Sequence, residues 1–180
     1  MREDLNSLLR RTRIVSGFIL FFYAATHLLN HSLATFSIST ADAAREYFIA
    51  FWRNPVAEIF LFASFAVHIL LGIQAVLRRK SFKMTKREWL QMTFPFVALL
   101  ALIPHILTTA ILSRVFAVTD NYELIFAATL VDPAKASSNV IFFSLMVVLI
   151  WTHGVIGIHG LLQTKPLYAR LRQTIIGFYW

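Results

Sequence analysis

The sequence predicts an all-α transmembrane helical bundle with four full spans and the start of a fifth. Of its 180 residues, 58% are hydrophobic and 14% are charged. The mean hydropathy of +0.66 is far above that of a soluble domain. Several apolar runs also reach the ~20 residues that a helix needs to cross a bilayer. These features exclude a disordered chain, a disulfide-stapled secreted module and an ordinary water-soluble enzyme.

The spans follow from the apolar runs. A fifth run begins at about Thr174 and reaches only Trp180. It is either an interfacial anchor or, as we prefer, the beginning of a helix in a longer protein such as a six-helix anchor. We therefore divide the chain into a cytoplasmic segment (1–13), a transmembrane domain (14–172) and the start of a fifth helix or interfacial anchor (173–180). The four full spans are predicted at Ile14–Phe36, Pro55–Leu77, Met92–Ser113 and Asn139–Gln163.

Basic residues are distributed unevenly between the predicted sides of the membrane. Of 17 Lys and Arg, thirteen lie in the N-terminal segment, in the loop after the second span and in the tail. Because cytoplasmic segments are enriched in Lys and Arg, we expect the N-terminus and the 78–91 loop to lie in the cytoplasm of a bacterium, with the spans in its inner membrane. This explains the net charge of +8 without a nucleic-acid partner, although the same residues can also bind anionic lipid headgroups.

The outer connections differ from the basic inner loop. Residues 40–52 have an amphipathic pattern, which predicts a short helix at the outer interface with Thr40 or Asp42 as its N-cap. Residues 114–138 contain DNYE and DPAKASS, which predict turns. No soluble catalytic domain is evident in these 180 residues, so an enzymatic activity is not predicted for them.

All six histidines lie inside the predicted spans, where an ionisable side chain is costly and therefore a functional candidate. His27 and His105 lie at similar depth in the outer half, and His68 and His153 lie at similar depth in the inner half. The chain has no cysteine, which excludes iron–sulfur clusters, thiolate zinc sites and covalently attached haem.

Two opposed imidazoles at one depth are what a six-coordinate haem b requires, because the macrocycle supplies four nitrogens. We therefore predict two haems, an outer one on His27 and His105 and an inner one on His68 and His153. Gly72 follows four residues after the second-span histidine, on the same helix face, and would leave room for a flat macrocycle. The alternative is that these histidines are hydrogen-bonded packing residues or part of a proton path.

Further residues are weaker candidates. Gly157 stands four residues after His153 and has the same predicted role as Gly72. Glu58, His31 and His159 are candidates for quinone contacts, His31 and His159 also for haem propionate contacts. Glu58 is equally well explained as a solvated helix-end residue, and the two histidines as packing residues.

The histidine-bearing segments resemble a known family. SGFILFFYAATHLLNHSL at 16–33, EIFLFASFAVHILLG at 58–72 and WTHGVIGIHG at 151–160 are similar to the dihaem cytochrome b membrane subunit of succinate dehydrogenases and fumarate reductases. A closer resemblance is to the six-helix, haem-binding membrane anchors of proteobacterial class III adenylate cyclases. It rests on HLLNHSL at 27–33, WRNP at 52–55, PHIL at 104–107 and HGVIGIHGLLQTKPLY at 153–168.

The resemblance implies a membrane cytochrome b that exchanges electrons with the quinone pool and regulates a cytoplasmic adenylate cyclase as a redox sensor. The implied ligands are two haem b groups and a quinone, and the expected partners are the bilayer, a cytoplasmic catalytic domain and a second copy of the chain. The alternative is the anchor of a succinate dehydrogenase or fumarate reductase, with flavoprotein and iron–sulfur subunits as partners. A third reading is a structural dimerisation anchor whose histidines only pack.

The predicted topology can be tested with single cysteines, since the chain has none of its own. A membrane-impermeant thiol reagent should label Lys83→Cys only after the cytoplasmic side is opened. It should label Lys135→Cys in intact spheroplasts. Labelling of position 83 from the periplasm would reverse the orientation and exchange the predicted inner and outer haems.

Overall fold

The computed structural model describes residues 2–117, 121–163, 165, 166 and 168, and over that part of the chain it is helical and without strands. A 3₁₀ turn follows the first helix, and the fourth helix continues as a π-helical segment, Leu107–Leu112. The predicted fifth run at 173–180 lies outside the described residues. The helices are α1 (Arg2–Ser32), α2 (Ile38–Trp52), α3 (Pro55–Leu77), α4 (Lys86–Ile106), α5 (Ser113–Val115), α6 (Tyr122–Leu130) and α7 (Pro133–Leu162).

Four of the described helices are long and apolar enough to cross a membrane, as predicted. The second of them, α3, has the predicted bounds Pro55–Leu77. Asn54 caps it by accepting a hydrogen bond from the backbone N–H of Val56, and proline at the first position fits because no helical N–H is lost there. The other three helices begin before the apolar runs predicted for them.

The early start of α4, at Lys86 instead of Met92, has a local cause. Glu88 Oε2 accepts hydrogen bonds from the N–H and the hydroxyl of Thr85, and the N–H of Glu88 donates to Thr85 Oγ1. This reciprocal pattern is a capping box, which satisfies N–H groups that a helix start leaves without partners. Hydropathy does not detect it, because both residues are polar.

The two connections that the sequence places outside the membrane contain more helix than predicted. α2 begins at Ile38, and its cap is Ser37, which accepts from the N–H of Thr40, so the predicted caps Thr40 and Asp42 are wrong. Asp42 instead accepts a hydrogen bond of 2.8 Å from the N–H of Tyr122, the first residue of α6.

The turns predicted at DNYE (120–123) and DPAKASS (132–138) are largely replaced by helix in the described residues, since α6 begins at Tyr122 and α7 at Pro133. Asn121 caps α6 by accepting from the N–H of Leu124. Asp132 accepts from the N–H of Ala134 at the start of α7. Both segments therefore carry helix-start signals that composition alone reads as turn material, because Asn, Asp and Pro favour either setting.

The described chain divides into two compact units. The first comprises 1–82 and 106–140, and the second comprises 83–105 and 141–180. In the first unit α1 packs along α3 in antiparallel fashion, α2 packs on α1, and α6 packs on α2. The second unit contains most of α4 and of α7.

Among the described residues most buried side chains are small or polar, with Tyr122 and Leu149 as exceptions, whereas many large apolar side chains are exposed. In the first unit Ser16, Asn30, Ala41 and Ser64 are buried. Phe22, by contrast, is 55% exposed, and many other large apolar side chains are exposed in the same way. Helices in a bilayer pack through small residues and satisfy polar groups internally, because lipid offers no hydrogen bonds. This distribution is typical of a membrane-embedded bundle.

Candidate functional site

His68 of α3 contacts α1 directly. Its Nδ1 is 3.1 Å from the backbone oxygen of Arg13 and 3.3 Å from Ser16 Oγ. A Cβ placed on Gly17 would lie 2.9 Å from Cε1 of His68, closer than real Cβ atoms approach other atoms. The missing side chain of Gly17 therefore gives the His68 ring access to the α1 backbone.

His153 has an equivalent partner in the second unit. Its Nδ1 is 3.1 Å from the backbone oxygen of Gln91 in α4. In a regular helix that oxygen would accept from the N–H four residues later, but residue 95 is proline and has no N–H. Pro95 thus makes a backbone acceptor available inside the membrane, and the imidazole of His153 uses it.

These two contacts define the tautomer of both rings. A carbonyl oxygen can only accept, so Nδ1 of His68 and of His153 carries the proton and donates it. The lone pair is then on Nε2. Metal-bound histidines commonly show this arrangement, in which an Nδ1–H bond to a carbonyl orients the ring and Nε2 ligates.

His27 belongs to a hydrogen-bonded chain at the other end of α1. Its Nε2 is 3.1 Å from Nε2 of His31, one turn later. Nδ1 of His31 is 3.1 Å from the phenolic oxygen of Tyr122, to which Asn30 Nδ2 donates a bond of 3.0 Å. The ring of Tyr23 stacks on His27 with centroids 5.5 Å apart.

The hydrogen bonds that link these side chains all run in one direction. The Asn30 amide nitrogen donates to Tyr122, and the phenol in turn donates to Nδ1 of His31. The proton of His31 is then on Nε2, which donates to Nε2 of His27. His27 therefore has its proton on Nδ1 and its lone pair on Nε2, the same tautomer as His68 and His153.

Tyr122 is suited to act as a permanent donor in this chain. Its side chain is buried at 3% exposure. Burial raises the pKa of Tyr122 to about 12, although the positive charge of Arg45 acts in the opposite direction and Asp42 adds to the increase. The phenol is therefore protonated throughout the physiological pH range.

His105 lies near the end of α4, just before the π-helical segment. Its ring makes an edge-to-face contact with Phe143 of α7, with centroids 6.4 Å apart. Pro104 lies within α4, which continues as α-helix to Ile106.

The two glycines that were predicted to leave a notch for a macrocycle have different surroundings. Nothing among the described residues lies within 4 Å of a Cβ placed on Gly72, so this helix face is open. A Cβ on Gly157 would lie 3.3 Å from Nε2 of Gln91, so this notch receives a side chain of α4.

The three quinone candidates all have protein partners. Glu58 forms an ion pair of 2.6 Å with Arg114, and their side chains are 22% and 42% exposed. His31 belongs to the chain with Tyr122, and Nδ1 of His159 is 2.7 Å from the hydroxyl of Tyr168. None of these contacts was predicted.

Sequence reasoning missed Tyr122, Asn30 and Gln91. Asn30 was detectable, because a buried amide within an apolar span is unusual. Gln91 was also detectable, since a proline four residues later leaves its carbonyl without a helical donor. Tyr122 had no signal, because its role depends on the position of α6.

Each predicted haem pair combines one histidine of the first unit with one of the second, and the pairing stays a prediction. Within the described residues no three His, Asp or Glu side chains form a group that could hold a metal ion by themselves. A haem iron needs only two protein ligands. Comparison of the chain with protein-family models, with curated proteins and with solved structures gives no match.

The contact between Gly17 and His68 predicts that even a methyl group is harmful at position 17. Gly17→Ala should destabilise the purified protein by about 1–3 kcal/mol, because the ring or the helix must move. Gly160→Ala is the matched control: a Cβ there meets nothing within 4 Å in the described chain, so helix propensity alone should make it neutral or favourable by up to about 1 kcal/mol. Denaturant unfolding in detergent measures both, and equal stabilities would contradict the close contact.

The raised pKa of Tyr122 predicts an alkaline limit to stability. Unfolded tyrosine ionises at about 10, whereas the folded side chain ionises at about 12. The contribution of this phenol is therefore complete below pH 10 and lost between pH 10 and 12. The difference in phenolate absorbance between wild type and Tyr122→Phe should rise with a midpoint well above 10; a midpoint at or below 10 would contradict the burial.

Proposed function

We propose that the chain is a dihaem cytochrome b that exchanges electrons with the quinone pool. The inner haem is assigned to His68 and His153 and the outer haem to His27 and His105. The observation that supports this most directly is the pair of imidazole bonds to the backbone oxygens of Arg13 and Gln91. Packing histidines have no general need to share one tautomer, whereas iron ligands need the Nε2 lone pair.

When bound, haem supplies one-electron chemistry, and the protein adjusts its potential through the ligands and their surroundings. The carbonyl of Arg13 orients the His68 ring and raises the basicity of its Nε2. The carbonyl of Gln91 does the same for His153. Both acceptors belong to helix backbones and hold the rings with little freedom to rotate.

The outer ligand His27 is oriented differently. Its Nε2 lone pair accepts from His31, so ligation through Nε2 replaces that bond. Tyr122 and Asn30 then keep His31 in place beside the ligand. The stacked ring of Tyr23 limits rotation of the His27 imidazole.

We further propose that the haems respond to quinol and that this response regulates a cytoplasmic adenylate cyclase. The resemblance of the histidine-bearing segments to cyclase anchors supports this output. Glu58 and two buried amide oxygens that have no hydrogen-bond partner among the described residues, Asn30 Oδ1 and Gln91 Oε1, are acceptors for quinol hydroxyl groups.

A visible spectrum with metal analysis of the purified full chain tests the haem assignment. We expect a low-spin b-type spectrum with about two haems per chain, because two imidazoles saturate each iron. His68→Ala and His153→Ala should each lose about one haem. His159→Ala is the matched control, since it removes an imidazole from the same helix as His153 without removing a proposed ligand, and it should keep both haems.

Size-exclusion chromatography of each variant separates ligand loss from misfolding. A full haem content in folded His68→Ala would overturn the inner assignment. Cyclase activity in membranes with oxidised and reduced quinone tests the output. Succinate-driven haem reduction by a copurifying flavoprotein would instead favour the dehydrogenase anchor.

A further inference from the structure

A small polar cavity lies between α1 and α3, at the end where α1 begins and α3 ends. Its volume is about 130 Å³. Arg10 and Arg13 line it from α1, and Gln74 and Arg78 line it from α3. It lies within the first unit and close to the Arg13–His68 contact.

The cavity concentrates positive charge. Three of its eight described lining residues are arginines, and none of the eight is acidic. Arg78 donates a bond of 3.2 Å to Asn6 Oδ1, which is an uncharged acceptor. Guanidinium groups form strong, often bidentate hydrogen bonds to phosphate and carboxylate oxygens. The chemistry of the lining therefore selects an anion.

The volume of the cavity matches a small anion. A water molecule occupies about 30 Å³ in the liquid, so the cavity has room for a group of roughly four or five heavy atoms. A tetrahedral phosphate has this size.

The depth of the cavity favours a lipid as the source of the phosphate. Arg13 immediately precedes the first apolar run, and Arg78 immediately follows the second. The arginines thus lie at the hydrocarbon boundary, where phospholipid phosphates lie. Val15 and Leu77, next to this boundary, are 58% and 79% exposed and can contact acyl chains.

We propose that this cavity binds the phosphate of an anionic phospholipid. Arg10, Arg13 and Arg78 hold the phosphate oxygens, and Asn6 positions Arg78. The simpler explanation, solvated arginines that only set orientation, does not account for their convergence from two helices on one cavity. The proposal concerns lipid binding only and does not depend on haem.

Native mass spectrometry of the full chain in detergent can test the proposal by titration with phosphatidylglycerol. Arg10→Gln should weaken retention of the lipid about tenfold, as expected for loss of one charged hydrogen bond. Arg11→Gln is the matched control, because it removes the same charge from the adjacent residue, which does not line the cavity. Its retention should stay within about twofold of wild type.

The remaining measurements separate the possible anions. Phosphatidylcholine, whose choline cation opposes the arginines, should bind more weakly than phosphatidylglycerol, and inorganic phosphate at matched ionic strength should not displace phosphatidylglycerol. Equal weakening by Arg10→Gln and Arg11→Gln would overturn the proposal, because it would indicate non-specific electrostatic attraction of the lipid by the basic surface. Displacement by inorganic phosphate would identify a free-anion site instead. Loss of haem in Arg10→Gln with unchanged lipid retention would assign the arginine to a haem propionate and also overturn it.

Discussion

The hydrogen bond from an imidazole N–H to a backbone carbonyl is the interaction on which the proposed centre depends. In hydrocarbon an imidazole N–H cannot turn to water, so it must find an acceptor within the protein. His68 finds one in the backbone oxygen of Arg13, and His153 finds one in the backbone oxygen of Gln91. The same bonds that avoid the cost of unpaired polar groups also determine which ring nitrogen carries the lone pair.

The two carbonyls become available for different physical reasons. Arg13 lies in an uninterrupted helix, and its oxygen is reached because Gly17 and Ser16 leave space for the ring. Gln91 lies in a helix with a proline four residues later, and its oxygen needs a donor. Close packing of α1 and α3 therefore provides the acceptor for His68. An interrupted backbone hydrogen-bond pattern in α4 provides the acceptor for His153.

At the other end of α1, a series of hydrogen-bonded side chains takes the place of the backbone carbonyl as the partner of the histidine. Asn30 and Tyr122 are buried beside His31, and Asp42 holds the backbone of Tyr122. The helices α2 and α6 thus contribute to the surroundings of a histidine in α1, and α6 positions the phenol of Tyr122 as a donor to that histidine.

How much the sequence could predict depended on whether the cause was local. The four spans followed from the lengths of the apolar runs, and the predicted bounds of α3 were exact because a proline and an asparagine mark its start. The start of α4 was missed, since its capping box consists of polar residues. The six histidines were found as candidates because charge is costly in lipid. The hydrogen-bond partners of these histidines were not found, because an available backbone carbonyl has no sequence signature unless a proline stands four residues later.

Arg13 connects the two proposals through a single residue. Its carbonyl oxygen orients His68, and the same residue lines the basic cavity. A phosphate that draws the side chain into the cavity also restricts the backbone turn that carries the carbonyl. If both ligands bind as proposed, thermodynamic linkage requires the coupling to be reciprocal: lipid that tightens the hold on His68 must itself bind more tightly when the inner haem is present. Under both proposals, membrane composition and ligand orientation act on the same turn of α1.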